Sequence, residues 1–195
     1  CTSTPAPAGV SAFTGPVQPY VFIVPEVSPQ TAITAAEAYF TFGFGNAGMV
    51  EPWDDEAFMF IRLPTKSTLI GMAANIAVPP AKMKGVPFDK SSEVLAAVTG
   101  SVDPERTIGL MGAEIYDQNR ATLNSLAFRS FQQNYAYYPD STPDLFDKRN
   151  VRDGHYTIWS PTIYLTRVNG QGVPLNPRAK YVIDLILGKA VSPAP

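Results

Sequence analysis

The 195-residue sequence contains one cysteine and one histidine, and the cysteine is residue 1. A single histidine cannot form a histidine cluster for zinc, and with Cys1 in a flexible lead no cysteine–histidine catalytic pair is expected. A lone thiol cannot close an internal disulfide, and in an oxidising compartment the partner of Cys1 lies in another chain or a further segment. Charge is scarce too: 16% of residues are charged and the formal net charge is -2, with no basic stripe for nucleic acid and no acidic tail. Apolar runs are too short to cross a bilayer, and no signal-peptide pattern occurs. No GxGxxG fingerprint is expected and no GxxxxGK(S/T) loop occurs, which leaves little place for the common nucleotide cofactors. His155 has no serine in a nucleophile-elbow pattern to serve, so it reads as structural, and neither a catalytic residue nor a cofactor is expected.

What is present is apolar and well punctuated. Hydrophobic residues make up 45% of the chain, ample for a packed core, while nineteen prolines and fourteen glycines fall between apolar runs without forming a repeat. The stretch that organises the rest is residues 58–76, FMFIRLPTKSTLIGMAANI. It reads as a buried strand (Phe58 to Ile61), a polar turn (Arg62 to Lys66) and a helix opening at Ser67 and Thr68, with Leu69, Ile70, Met72 and Ile76 on its apolar side. Such a junction leaves several backbone N–H groups without intrahelical partners, with the positive end of the helix dipole behind them. Arg62 and Lys66 add cationic donors, and Thr65, Ser67 and Thr68 add hydroxyls, so the junction has the makings of an oxyanion cradle. The same pattern also serves as an ordinary capped join between layers of an α/β domain.

In chain order, residues 1–15 form a Pro/Ala/Thr-rich lead that suits a flexible tether, with Cys1 as either a lipid-modified end or a fragment boundary. Val17 to Val24 is a strand apolar on both faces, which belongs inside a covered sheet. Thr34 and Glu37 have capping-box spacing for a helix from Thr34 to Phe42, with Ala35, Ala38, Tyr39 and Phe42 inward and Gly43 as its stop. Residues 43–57 form a loop carrying Trp53 and the acidic trio Asp54, Asp55 and Glu56, which lacks the alternation and glycine of a calcium loop, so no metal is expected. After Pro79 and Pro80, Ser91 or Ser92 caps a short helix that Gly100 ends. Thr107 to Met111 reads as a buried strand, Ala113 to Leu123 as a helix, and Leu126 to Phe131 as a strand. Tyr156 to Trp159 and Thr162 to Val168 read as strands broken by Pro161 at an edge or hinge. Asn176, Pro177 and Gly188 mark a final helix from Pro177 to Leu187, with Tyr181, Val182, Leu185 and Ile186 inward. Strands alternating with helices predict an α/β fold, a mixed-sheet three-layer sandwich over residues 16–195. The mixed charges around Lys148, Arg149 and Arg152 read as a self-paired surface, and Tyr135, Tyr137 and Tyr138 as packing beneath a loop or a stacking platform.

The order GPVQPYVFIVP, ITAAEAYFTFGFG, PWDDEAFMFIRLPTKST, SSEVLAAVTG, TIGLMG and GHYTIWSPTIYLT followed by a helix resembles the second lobe of type II periplasmic solute-binding proteins, particularly the phosphate-binding branch. In that family an Arg-x-x-x-Ser-Gly-Thr-like turn grips the anion at a helix start. Arg62 matches its arginine and Thr68 its threonine, whereas Lys66 stands at its serine and Ser67 at its glycine. The resemblance implies a non-enzymatic, extracytoplasmic receptor lobe whose contacts to a small oxyanion are Arg62, Thr65, Lys66, Ser67 and Thr68. It also implies a first lobe as partner, a membrane transporter of the ABC class or a sensor that reads the closed form, and no role for nucleic acid. A scaffold that keeps the fold without binding ligand is the alternative, and an enzyme built on the acidic trio and His155 is a remote third.

Overall fold

A computed structural model describes residues 6–190 and divides the chain into two units, one of Cys1–Gln18 with Ser160–Pro195 and one of Pro19–Trp159. Cys1 lies outside the described residues. The larger unit is built on strand β1 (Val10–Pro25), whose last six residues, Tyr20 to Pro25, are all buried. A strand buried on both faces must pair on both edges and be covered above and below. β1 accordingly runs antiparallel to β5 (Ile108–Gly112) on one side and to β6 (Leu123–Ser125) on the other. β3 (Met59–Arg62) continues outward from β5 and β4 (Val86–Phe88) from β3, both pairings parallel, giving the order β4-β3-β5-β1-β6. The sheet is therefore mixed.

Each parallel strand feeds a helix: β3 leads to α2 (Ser67–Asn75), β4 to α3 (Ser91–Thr99) and β5 to α4 (Ala113–Asp117). Side-chain alternation assigns the layers. Tyr20 and Ile23 point to opposite faces of β1. A Cβ on Gly71 of α2 would run into the Tyr20 ring, whereas a Cβ on Gly109 of β5 would meet Val98 of α3 and Ile23. α2 and α3 thus cover opposite faces, the three-layer α/β sandwich that the sequence predicts. On the Tyr20 face Phe22 stacks at 5.8 Å on both Phe42 of α1 (Ala35–Phe44) and Phe128 of β7 (Ala127–Arg129). β7 pairs in parallel with β2 (Ala32–Thr34) as a separate two-stranded sheet. Tyr156, wholly buried, donates its hydroxyl to the Tyr20 carbonyl at 2.6 Å, and desolvation raises its pKa far above the ordinary phenol value.

The smaller unit holds the first part of β1 and most of β8 (Trp159–Arg167), which pair with each other, and α6 (Pro177–Ile186). Between them Val168 N–H donates to the Gly9 carbonyl at 2.8 Å. Asn176 caps α6 by accepting from the N–H groups of Arg178 and Ala179.

Several expectations change. The predicted lead of residues 1–15 contains strand, since β1 begins at Val10; Thr14 and Gly15 fit an extended ribbon that needs no apolar signal. The Thr34–Glu37 capping box is present, but α1 runs on to Phe44 and stops at Gly45, which has the positive φ of 58° that Gly43 lacks. Gly43, Gly45 and Gly48 do have GxGxxG spacing, yet they end a helix and form a 3-10 turn, Gly45–Gly48, instead of joining a strand to a helix. α4 stops at Asp117 and not Leu123, because the Asn119 amide bonds back to the Ile115 carbonyl and Thr122 to that of Asn119, closing a turn that releases Leu123 into β6. The predicted strand Leu126 to Phe131 shrinks to Ala127–Arg129. β8 passes unbroken through Pro161, while Tyr156 to Ile158 lie outside it. On α6 the buried residue is Ile183, and the predicted inward Tyr181 and Val182 are exposed.

Replacing Gly71 with alanine puts a methyl group into a rigid, buried ring, and overpacking of this kind costs roughly 1–3 kcal/mol. Urea denaturation of Gly71→Ala is expected to show a lowered midpoint with unchanged slope; an unaltered midpoint contradicts the close approach of α2 to β1.

Candidate functional site

Parallel pairing decides where the predicted cradle sits. β3 and β4 end together, with Arg62 opposite Phe88, so α2 and α3 both open at the carboxyl edge of neighbouring strands, the position where open α/β sheets form their crevices. The chain turns from β3 into α2 through Leu63, whose N–H donates to the Phe88 carbonyl at 3.0 Å, and Lys66, whose N–H donates to the Leu63 carbonyl at 2.9 Å. Lys66 is the N-cap of α2 and its carbonyl accepts from Ile70 N–H. The N–H groups of Ser67, Thr68 and Leu69 open the helix without intrahelical acceptors, and no side chain caps them among the described residues.

The five sequence-predicted residues are brought together on this one turn. Arg62 is half-buried, Lys66 and Thr68 partly so, and Thr65 and Ser67 are exposed. Both cations already have partners from the loop before α3. Arg62 Nη2 donates to the Asp89 carbonyl at 2.6 Å and Nη1 to the Ser91 hydroxyl, while its Nε is buried with no partner among the described residues. Lys66 Nζ lies 2.6 Å from the Asp89 carboxylate. The hydrogen bond from Lys66, then its charge and that of Arg62, hold the Asp89 carboxyl below its ordinary pKa. Asp89 and Ser91 are the participants sequence reading missed as site residues. They lie 27 and 29 positions beyond Arg62, and only the β3–β4 pairing brings them to it.

The helix termini at this edge differ in their own charge. α3 has Glu93 in its first turn, accepting from Lys90 N–H at 2.9 Å, and α4 has Glu114. A carboxylate there answers the helix dipole. α2 has no acidic residue in its first turn, so its dipole is left for the Lys66–Asp89 pair or for an anion from outside.

Elsewhere the acidic trio is tied down, Asp54 to Arg106 at 2.8 Å, Asp55 to the same guanidinium at 3.6 Å and Glu56 to Lys84 at 3.9 Å, with Arg106 in turn over the Phe58 ring. Asp153 pairs with Arg149 and Tyr156 with Tyr20, so neither orients His155, which is exposed and stacked on Tyr137 at 4.8 Å. The side chains of the enzyme reading are thus committed to other partners. Lys148 and Arg149 are self-paired as expected, but Lys148 reaches the buried Asp140 rather than a solvated neighbour. Among the described residues no group of three or more His, Cys, Asp or Glu side chains is placed to hold a metal ion, and no helix is long and apolar enough to cross a membrane.

No protein-family model matches the chain, and no curated protein sequence matches it. Its fold is that of type II periplasmic phosphate-binding proteins. A possible phosphate-binding protein of Planctomyces limnophilus superposes with a TM-score of 0.62 at 13% identity over 94% of this chain and 73% of its own. The substrate-binding protein proposed for a phosphate ABC transporter of Clostridium perfringens, solved with bound phosphate, gives 0.64 at 16% identity over 92% and 66%. An ABC-type phosphate transport receptor of Vibrio cholerae gives 0.61 at 13% identity over 96% and 70%. The chain therefore spans between 66% and 73% of the length of these three structures.

The Lys66–Asp89 pair sets a pH test. Because the folded-state pKa of Asp89 is lowered, the pair is fully formed above the ordinary carboxylate value and is lost as pH falls through the lowered one. An NMR titration of Asp89 is expected to show a midpoint below that of an isolated aspartate, returning toward it in Lys66→Ala and rising with added salt. A midpoint that Lys66→Ala leaves in place refutes the pairing.

Proposed function

We propose that the Pro19–Trp159 unit is a solute-binding lobe that captures a small oxyanion, such as phosphate, between itself and a further lobe. The observation that carries this reading is the start of α2: three uncapped N–H groups and no acid of its own in the first turn, beside Arg62 and Lys66. In this role the anion displaces the Asp89 carboxylate from Lys66, takes the N–H groups and hydroxyls of Ser67 and Thr68 and the Thr65 hydroxyl, and is oriented by Arg62. Closure about the bound anion gives a form that a membrane transporter or sensor reads, with differential affinity for the closed state as the driving free energy. The setting of such a lobe is extracytoplasmic. The three similar structures named above are phosphate-binding or transport proteins by description, which supports the same direction.

A second reading has its own observation. Arg62 and Lys66 are both already bonded within the fold, through Asp89 and Ser91, as in a scaffold that keeps the architecture and has given up its ligand.

Calorimetry and thermal shift with phosphate, sulfate, phosphonates and amino acids separate the two. Solute capture predicts a stabilising shift with at least one oxyanion, weakened about tenfold or more in Arg62→Ala combined with Thr68→Ala, and strengthened in Asp89→Asn, which frees Lys66. No shift with any of these compounds supports the scaffold.

A further inference from the structure

A concavity lies in the Pro19–Trp159 unit, at the other end of the sheet from Arg62. The register separates them: Gly112, where β5 opens into α4, faces Tyr20, whereas Leu123 and Asn124 face Pro25 and Val24. Around Asn124 and the end of α4 is a cleft of about 440 Å³, within the range of small-molecule sites.

Two of its lining residues are largely buried but leave a hydroxyl unused. Tyr116 is 4% exposed and Ser125 5% exposed, yet among the described residues neither hydroxyl has a hydrogen-bond partner. Neither oxygen is among the fully buried atoms left without a partner, so both remain accessible and free to bond a ligand in the cleft. The Gln30 amide, the Thr31 hydroxyl and the Asp144 carboxylate line the same space, also without partners among the described residues. Phe146 lines the same cleft, 63% exposed, with the Arg120 guanidinium 3.9 Å from its ring centre. An exposed aromatic ring backed by a guanidinium offers a platform.

Charge decides what the platform receives. Arg120 spends its donors on Asp117, Asp140 and the carbonyls of Pro143 and Leu145, and Lys148 is taken by Asp117 and Asp140. With no cation to spare and a bare Asp144 carboxylate beside it, the cleft disfavours an anion. A cationic ligand is disfavoured too, because the Tyr116 and Phe146 rings already face the Arg120 charge. What remains is a neutral molecule with a flat apolar face and several hydroxyls.

We propose that this cleft binds a neutral polyhydroxylated ring, a pyranose as monosaccharide or disaccharide. Its C–H face lies on Phe146, and its hydroxyls bond Tyr116 and Ser125 at the floor and Gln30 and Asp144 at the rim. The site is independent of the anion cradle and stands whether or not the cradle binds.

Saturation-transfer NMR and calorimetry on the full chain, with glucose, galactose, mannose, maltose and cellobiose up to about 10 mM, test it. At least one sugar is expected to bind, with affinity reduced about tenfold in Phe146→Ala and several-fold in Tyr116→Phe, which removes only the hydroxyl and keeps the ring packing. Inorganic phosphate and Arg62→Ala are expected to leave the sugar affinity unchanged. Absence of binding by all five sugars overturns the proposal, as does binding that either cleft variant leaves unaltered or that phosphate displaces.

Discussion

Six consecutive buried residues, Tyr20 to Pro25, impose the constraint from which the larger unit follows. Their backbone groups cannot reach water, so each edge of β1 needs a pairing strand and each face a covering layer. β5 and β6 answer the first demand, α2 and α3 part of the second, and Phe22 recruits α1 and β7 through its two aromatic stacks. Even the irregular approach to β8 is fixed from this strand, since Tyr156 and Ile158 both bond the backbone of Tyr20.

The parallel outer strands then determine the chemistry at one edge. Strands β3, β4 and β5 run the same way, so the three helices that follow them start at the same end of the sheet. Two of those helices carry a carboxylate in the first turn and α2 does not. The electrostatic asymmetry is local, a matter of which residue type occupies one turn, but its consequence depends on the sheet, which places Asp89 and Ser91 against Arg62 and sets the Asp89 carboxylate beside Lys66 at the start of α2.

The opposite end is held by charge. Asp140, 1% exposed, accepts from both Arg120 and Lys148, which also share Asp117. Asp147 adds bonds from the Ser141 hydroxyl and N–H, which pull its pKa down to about 2. A buried carboxylate with two cations is costly to assemble, and losing one partner costs more than the pair contributes. Its use here is geometric: it fixes the loop that carries Asp144 and Phe146 over the cleft.

Much of this was legible in the sequence wherever the signal is local. The Thr34–Glu37 capping box, the Asn176–Pro177 start, the apolar run ending at Val24 and the hydroxyl-rich turn at residues 65–68 depend on neighbours a few positions apart, and each lies where those residues imply. Element type and the α/β class follow from the same short-range rules. What only tertiary structure decided rests on distant pairing: that Asn119 ends α4 early so that Leu123 can join β1, that Asp89 and Ser91 meet Arg62, that Ile183 and not Tyr181 is the buried residue of α6, and that Lys148 turns inward to Asp140. Local sequence fixes backbone preference and the positive end of a helix, because those energies act within a turn. Which carboxylate faces which cation is set by strand register across tens of residues, and no local spacing encodes it.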